Sequence, residues 1–389
     1  MNPKRPLIFV PGIRTSRLAI KKENGHLEHF WPLMPHEFLM RDKLDKVFRY
    51  LESPIRLNVD DTGVSVVATS LLPFAYDGLI RSVLEWGYKP NIDFWLFPYD
   101  WRQSNRVSGQ LLARFIEEKI QDKWDSIDVI GHSMGGIISR AAYKYGAPIK
   151  RTAYIACPHF GSPLAYFILH PQIDSRRFLS SAYPTSYIFE GNWRSSLATT
   201  TTKDTTNSRK NIYQRRKELF VKFPSFYELL PDQFYLSNKP MLYANNKPTY
   251  GVDDTYLKND WGFKEQDMQT NIIKAMKFKE ELGPELPGNK DHDILLVCGT
   301  DNITCDTIRY QTNFQVSAAP HRASYVTEQG FSLPYDSGQH GDTYVPTTSA
   351  MASMSGLQKY KNSALIPVVH TLLSNEKSAL ETIGRFILA

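Results

Sequence analysis

The chain has 389 residues, 42% of them hydrophobic, and carries 46 Lys and Arg against 40 Asp and Glu, a net charge of +6. That apolar content excludes a wholly disordered polymer and suits one α/β core enlarged by an insertion. The basic excess is mild and forms no stripe interleaved with aromatics, so no nucleic-acid partner is expected, whereas peripheral contact with an anionic lipid surface is compatible with it.

In chain order, the first apolar run is LIFV (7–10), too short for a signal segment and closed by the turn Pro11-Gly12. Further runs follow at VSVVAT (64–69), FWLFPY (94–99), IDVIGH (127–132), TAYIAC (152–157), DILLVC (293–298) and ALIPVV (364–369). Near-continuous apolar runs of this length predict strands buried on both faces of a mostly parallel sheet. Helical spacing fits Val107–Trp124, with Ser104 or Asn105 as cap, and Met134–Tyr145 follows a strand directly. Strand–helix alternation predicts a doubly wound α/β fold.

The alternation breaks near Phe160 and resumes after Lys290. The intervening segment is aromatic-rich and irregular, and it contains the Thr-rich run 198–211, which reads as a loop. The expected division is therefore a core of residues 1–159 and 291–389, with 160–290 inserted as a cap or lid. No run reaches transmembrane length, so a cytoplasmic or peripheral-membrane location is expected. Cys157 and Cys298 each end an apolar run and read as buried small hydrophobes on strands; with Cys305 they build no disulfide framework. Without a CxxC pair or HExxH helix, neither metal nor other cofactor is expected.

The sharpest chemical signal is Gly131-His132-Ser133-Met134-Gly135, a G-x-S-x-G match placed directly after a strand pattern and directly before a helical one. A serine on such a turn has its hydroxyl exposed above the sheet, at the positive end of the helix. It needs a base, because a free hydroxyl is a poor nucleophile. In this fold the chain order is Ser, acid, His. His340 and His370 lie late enough, and His370, just past the last strand pattern, is the favoured base; His132 sits inside the elbow. The acid must lie between Ser133 and His370 in a loop after a strand. On that criterion Asp301 and Asp342 are nearly even, with Asp336 a further rival. Two backbone amides must face the developing oxyanion, and Met134 and Ile13 occupy the expected places.

Several segments, in order along most of the chain, match one family. They are LIFVPGI (7–13), Phe97-Pro98-Tyr99-Asp100-Trp101-Arg102, GHSMGG (131–136), Phe223-Pro224-Ser225 with Leu229-Leu230-Pro231, VCGT (297–300) followed by Thr304, GDTYVP (341–346) and VVHTLLSN (368–375). The chain thereby resembles the lecithin:cholesterol acyltransferase family of α/β-hydrolases. The resemblance implies Asp342 rather than Asp301 as the acid, because GDTYVP resembles the family's GDGTVP. It departs from that pattern at Thr343 and Tyr344, and it lacks the lid cysteines of the secreted animal members. Phe30-Trp31-Pro32 sits where the family has a membrane-touching aromatic segment; a core anchor is the alternative. For Asp100 and Arg102 a buried, salt-bridged turn bracing the site is expected.

The activity so implied is hydrolysis of carboxylic esters, of phospholipids or acylglycerols, through Ser133, His370 and Asp342, with the Ile13 and Met134 amides holding the oxyanion. Transfer of a fatty acyl group to an alcohol, or cleavage of short soluble esters, are the alternatives.

Overall fold

The structure, a computed structural model, describes residues 4–32, 41–72, 74–121, 123–170, 218–258, 263–287, 292–302, 304–310, 325–326, 331–333, 341–354, 360 and 362–389. The Thr-rich run 198–211, Asp336 and His340 lie outside them.

Six parallel strands form the central sheet, in the order β14-β10-β7-β6-β1-β5. They are β1 (Leu7–Val10), β5 (Phe94–Leu96), β6 (Ile127–His132), β7 (Ile149–Ile155), β10 (Asp293–Gly299) and β14 (Ser363–Ile366). Alternate residues serve opposite faces, as a strand's period of two requires. Ile8, Val10, Val129, Leu296 and Cys298 join one core cluster, and Leu7, Phe9, Ile130, Leu295 and Val297 join the other. The first face is covered by α3 (Asn105–Ile120) and α4 (Met134–Lys144), through Leu112, Ile116, Ile137 and Ile138. The second is covered by α2 (Asp77–Glu85) and the C-terminal helix Lys377–Leu388, through Leu79, Val83, Leu380 and Ile383. Burying each such side chain contributes about 1.5–3 kcal/mol, which is why a sheet apolar on both faces needs both helical layers. The architecture is the expected one, the doubly wound α/β-hydrolase fold.

Three expectations shift. VSVVAT does not join the parallel sheet. Its strand is β4 (Val66–Leu71), antiparallel to β2 (Ser16–Lys21), which also pairs with β3 (Leu27–Trp31). Only Val66 of β4 is fully buried, so this run covers one face of a small sheet and lacks the two buried faces of a central strand. The helix expected over Val107–Trp124 runs from Asn105 to Ile120, with the Ser104 hydroxyl accepting from the Arg106 amide at 3.1 Å as its cap. Cys157 lies two residues past β7 rather than on it; all three cysteines are buried thiols outside any disulfide among the described residues.

A second sheet has the order β12-β13-β11-β8-β9. It joins β8 (Leu242–Ala244) and β9 (Lys247–Pro248) to β11 (Ile308–Tyr310), β12 (Tyr325–Val326) and β13 (Phe331–Leu333). Strands from after β10 therefore pair with strands from before it, away from the central sheet. Among the described residues no helix is long and apolar enough to cross a membrane.

Candidate active site

Ser133 occupies the one-residue turn between β6 and α4, with φ 54° and ψ −126°. This conformation is unfavourable for a residue with a side chain, by about 1–3 kcal/mol, and is sustained only by its surroundings. Ser133 N–H donates to the Ile155 carbonyl at 2.8 Å, and the Ser133 carbonyl accepts from Gly136 at 3.0 Å. The following helix packs so closely on β1 that a Cβ on Gly135 would collide with the Val10 and Pro11 carbonyls. Gly135 thus answers to contact with β1, and Gly131 to contact with the helix that follows the turn.

His370 starts a short helix (His370–Leu373) just beyond β14, and its Nε2 lies 2.9 Å from Ser133 Oγ. Its Nδ1 lies 2.8 Å from Asp342 Oδ2. The other Asp342 oxygen, Oδ1, accepts the amides of Tyr344 at 3.0 Å and Val345 at 2.7 Å, so the loop folds around its own carboxylate. The backbones also meet: His370 N–H donates to the Asp342 carbonyl at 2.7 Å. Ser133, His370 and Asp342 are 8%, 7% and 0% exposed, so the polar chain is buried along its length. Thr304, placed by its VCGT context, accepts the Thr343 amide at 3.0 Å and pins the acid loop to the end of β10. Asp301, the rival acid, is exposed in the bend after β10, and the contact with the imidazole is made by Asp342.

Met134 directly follows Ser133, and Ile13 directly follows Gly12. Among the described residues neither amide donates to a backbone or side-chain acceptor, and Met134 is the first residue of α4. The turn Pro11-Gly12 abuts the elbow: a Cβ on Gly12 would lie 3.0 Å from His132 Nδ1 and 3.2 Å from Ser133 Cβ. His132 itself is buried, with Nδ1 3.0 Å from the Tyr76 hydroxyl and Nε2 3.4 Å from the His370 carbonyl. Burial, and secondarily the neighbouring His370, pushes its pKa down to about 3, so it stays neutral beside the base.

The FPYDWR segment braces the site rather than lining it. Fully buried Arg102 pairs with Asp100 at 2.6 Å and donates to the carbonyls of Leu51 and Ser53, each at 2.9 Å, capping α1 (Arg41–Leu51). Trp101 lies against Trp31, ring centroids 5.1 Å apart, and its carbonyl accepts from Ser225 Oγ at 2.7 Å. Phe30 and Trp31 are 4% and 6% exposed, which makes them core anchors. Tyr76 and Thr15 belong to the surroundings of the site without any motif to announce them. Only Thr15, in a turn after Pro-Gly, carries a local signal. Among the described residues no group of three His, Cys, Asp or Glu side chains could hold a metal ion.

A family model described as Lecithin:cholesterol acyltransferase matches residues 67–171, which run from within β4 to just past α5 (Leu164–Leu169) and include the elbow. "Lecithin-cholesterol acyltransferase-like 4" of Arabidopsis thaliana is 24% identical over 284 residues, 65% of this chain and 48% of that protein. The chain thus spans about half the length of this curated relative. Among solved structures, the crystal structure of the Tle4-Tli4 complex is similar with a TM-score of 0.54 at 13% identity, covering 100% of this chain and 99% of the other. At that identity the likeness speaks for the fold alone. The gene lin2722 products of Listeria innocua give a weaker 0.36 at 11% identity, over 99% and 94% of the two chains.

Proposed function

We propose that this lecithin:cholesterol acyltransferase-like α/β-hydrolase cleaves carboxylic esters of lipids, with Ser133 as nucleophile, His370 as general base and Asp342 as its orienting acid. The observation that carries the reading is the unbroken chain Ser133 Oγ–His370 Nε2, 2.9 Å, and His370 Nδ1–Asp342 Oδ2, 2.8 Å, on a strained strand-to-helix turn. In this mechanism His370 takes the proton of Ser133 as the hydroxyl attacks the ester carbonyl. Asp342 holds the imidazole tautomer and stabilises its cation without taking the proton. The amides of Ile13 and Met134 receive the oxyanion. His370 then protonates the departing alcohol and activates water against the acyl-enzyme.

A cap role for residues 160–290 belongs to the same proposal. The pairing of β8 with β11 supports extending that cap to strands after β10. Aromatic side chains there, Phe220, Phe223 and Phe226, are packed on one another and suit an apolar acyl chain nearby. The names of the family and of the Arabidopsis relative favour a second reading, in which an alcohol replaces water as acyl acceptor.

The test is turnover of p-nitrophenyl esters from short to long acyl chains, beside Ser133→Ala. The expected result is a preference for longer chains and a loss of about 10⁶-fold in kcat in the variant. Product esters formed when a lipid alcohol is added to phospholipid vesicles would select the acyltransferase reading. Preference for the shortest esters would select a soluble esterase. Equal rates in both proteins would remove Ser133 as nucleophile.

A further inference from the structure

The weakest point of an oxyanion site is the freedom of its backbone. Ile13 follows Gly12, the residue with the least intrinsic restraint on φ and ψ, and precedes Arg14, which has φ 66°. Such a turn does not aim an amide unless other groups hold it. Here both peptide units flanking Gly12 are held by hydroxyls. The Pro11–Gly12 unit donates its N–H to Tyr76 Oη at 2.8 Å, and its carbonyl accepts from Tyr99 Oη at 2.9 Å. The Gly12–Ile13 unit is held through the Gly12 carbonyl, which accepts from Thr15 Oγ1 at 2.5 Å. Because a trans peptide is planar, fixing that carbonyl fixes the Ile13 N–H on the opposite side of the same plane.

The hydroxyls hold one another as well. Tyr76 Oη lies 3.2 Å from Thr15 Oγ1 and 3.0 Å from His132 Nδ1. The protons can be counted through the cluster. Thr15 gives its proton to the Gly12 carbonyl, and Tyr76 accepts the Gly12 amide. The Tyr76 proton is then left for Thr15 Oγ1 or His132 Nδ1. His132, neutral through burial, can accept at Nδ1 and present Nε2–H toward the His370 carbonyl 3.4 Å away. Tyr76 and Thr15 are 2% and 7% exposed, so water does not compete for these bonds. The same Tyr76 ring packs edge-on against Phe9 of β1, centroids 4.7 Å apart, which anchors the cluster to the sheet.

We propose that Thr15 and Tyr76 are positioning residues that clamp Gly12 from its two sides and thereby aim the Ile13 amide at the oxyanion. Through His132 they also tie that turn to the backbone of the base. The proposal rests on the Ser133–His370–Asp342 reading of the site and adds to it the device that presets one of its donors. A donor held in advance stabilises the transition state more than the ground state, so its loss falls on kcat and leaves KM nearly unchanged.

The experiment compares wild type with Thr15→Val, Thr15→Ser and Tyr76→Phe. It measures kcat and KM on a p-nitrophenyl ester, inhibition by an alkyl trifluoromethyl ketone, Ser133 labelling by a fluorophosphonate, and Tm. Thr15→Val and Tyr76→Phe should lower kcat about 10- to 100-fold, with KM within about twofold. The ketone, which binds as a tetrahedral oxyanion, should weaken in proportion to kcat/KM. Thr15→Ser keeps the hydroxyl and should restore kcat to within about threefold of wild type. Wild-type kcat in both Thr15→Val and Tyr76→Phe overturns the proposal alone. So does a fall shared by Thr15→Ser, or one that tracks Tm while ketone affinity stays constant. A wild-type protein that neither turns over esters nor labels at Ser133 overturns the reading of the site and this proposal together.

Discussion

Two of the buried carboxyl groups are held by different means, Asp342 beside His370 and Glu228 where the segment after residue 217 meets α3. Asp342 takes its amide donors from its own loop, two and three residues on, and its third from the imidazole. Glu228 takes its donors from Ser104 Oγ at 2.5 Å and the Asn105 amide at 2.6 Å, more than a hundred residues earlier. Those donors start α3, so Glu228 fastens the later segment to the open N-terminus of a core helix. The two surroundings differ in kind. Burial pushes the Glu228 carboxyl up to about 7, against the bonds from Ser104 and Asn105 and the nearby charges of Lys279 and Arg106. Lys279, equally buried, is pushed down to about 8 and donates to the Leu230 carbonyl at 2.8 Å. The comparison teaches that one carboxyl is held by its own loop and faces an imidazole, as the proposed mechanism requires, while the other is held by partners far away in the chain and serves attachment.

The largest expected break in this comparison is Asp342→Asn. It should cost about 10⁴-fold in kcat by misdirecting the His370 tautomer, while chemical denaturation midpoints move little. A kcat within tenfold of wild type would remove Asp342 from the proposed mechanism. Glu228→Ala should do the converse. It leaves the Asn105 amide and Ser104 hydroxyl without their acceptor, costing about 1–3 kcal/mol in urea unfolding, with kcat within a few fold of wild type.

The comparison sharpens further with pH. Between about 4.5 and about 7 the folded protein keeps a proton on Glu228 that the unfolded chain has released. Its contribution is therefore present below 4.5 and is lost as pH rises through about 7. At most this amounts to about 3–4 kcal/mol, taken as about 1.4 kcal/mol for each unit of the shift. Glu228→Gln has no such proton, so unfolding midpoints from pH 5 to 8 should lose this downward component in the variant. Parallel profiles for the two proteins would place the titration elsewhere. The smallest effect is expected at Thr343, which holds φ 85° where the resembled motif has glycine, with no hydrogen-bond partner for its buried hydroxyl among the described residues. Thr343→Gly relieves about 1–2 kcal/mol of strain and adds about 0.5–1 kcal/mol of chain entropy, so stability should hold or rise slightly. A loss above about 2 kcal/mol would show that the side chain supports the loop.

What could be read in advance was what is local. The elbow, the His after ALIPVV and the GDTYVP loop each combine a turn with its residue type inside a few positions, and the structure brings Ser133, His370 and Asp342 into one hydrogen-bonded chain. On strand-end position alone Asp301 and Asp342 were indistinguishable; the family-like loop separated them. VSVVAT was misplaced because an apolar run declares that it will be a strand but not which neighbour it will pair with. Glu228 sits between FPS and LLP with nothing in its neighbours to reveal a partner at Ser104. Tyr76 is equally silent, since the three contacts of its hydroxyl come from Gly12, Thr15 and His132 and exist only once the chain is folded.

The bond from the His370 amide to the Asp342 carbonyl gives this site an unusual experimental convenience. It belongs to the main chain, so no side-chain exchange at residue 342 deletes it. The distance between the two loops and the charge carried by one of them can therefore be varied as separate quantities. Asp342→Asn keeps an oxygen for the Tyr344 and Val345 amides while it removes the charge, so this one exchange reads out electrostatics across a main-chain link that is retained, a separation that side-chain-only contacts do not offer.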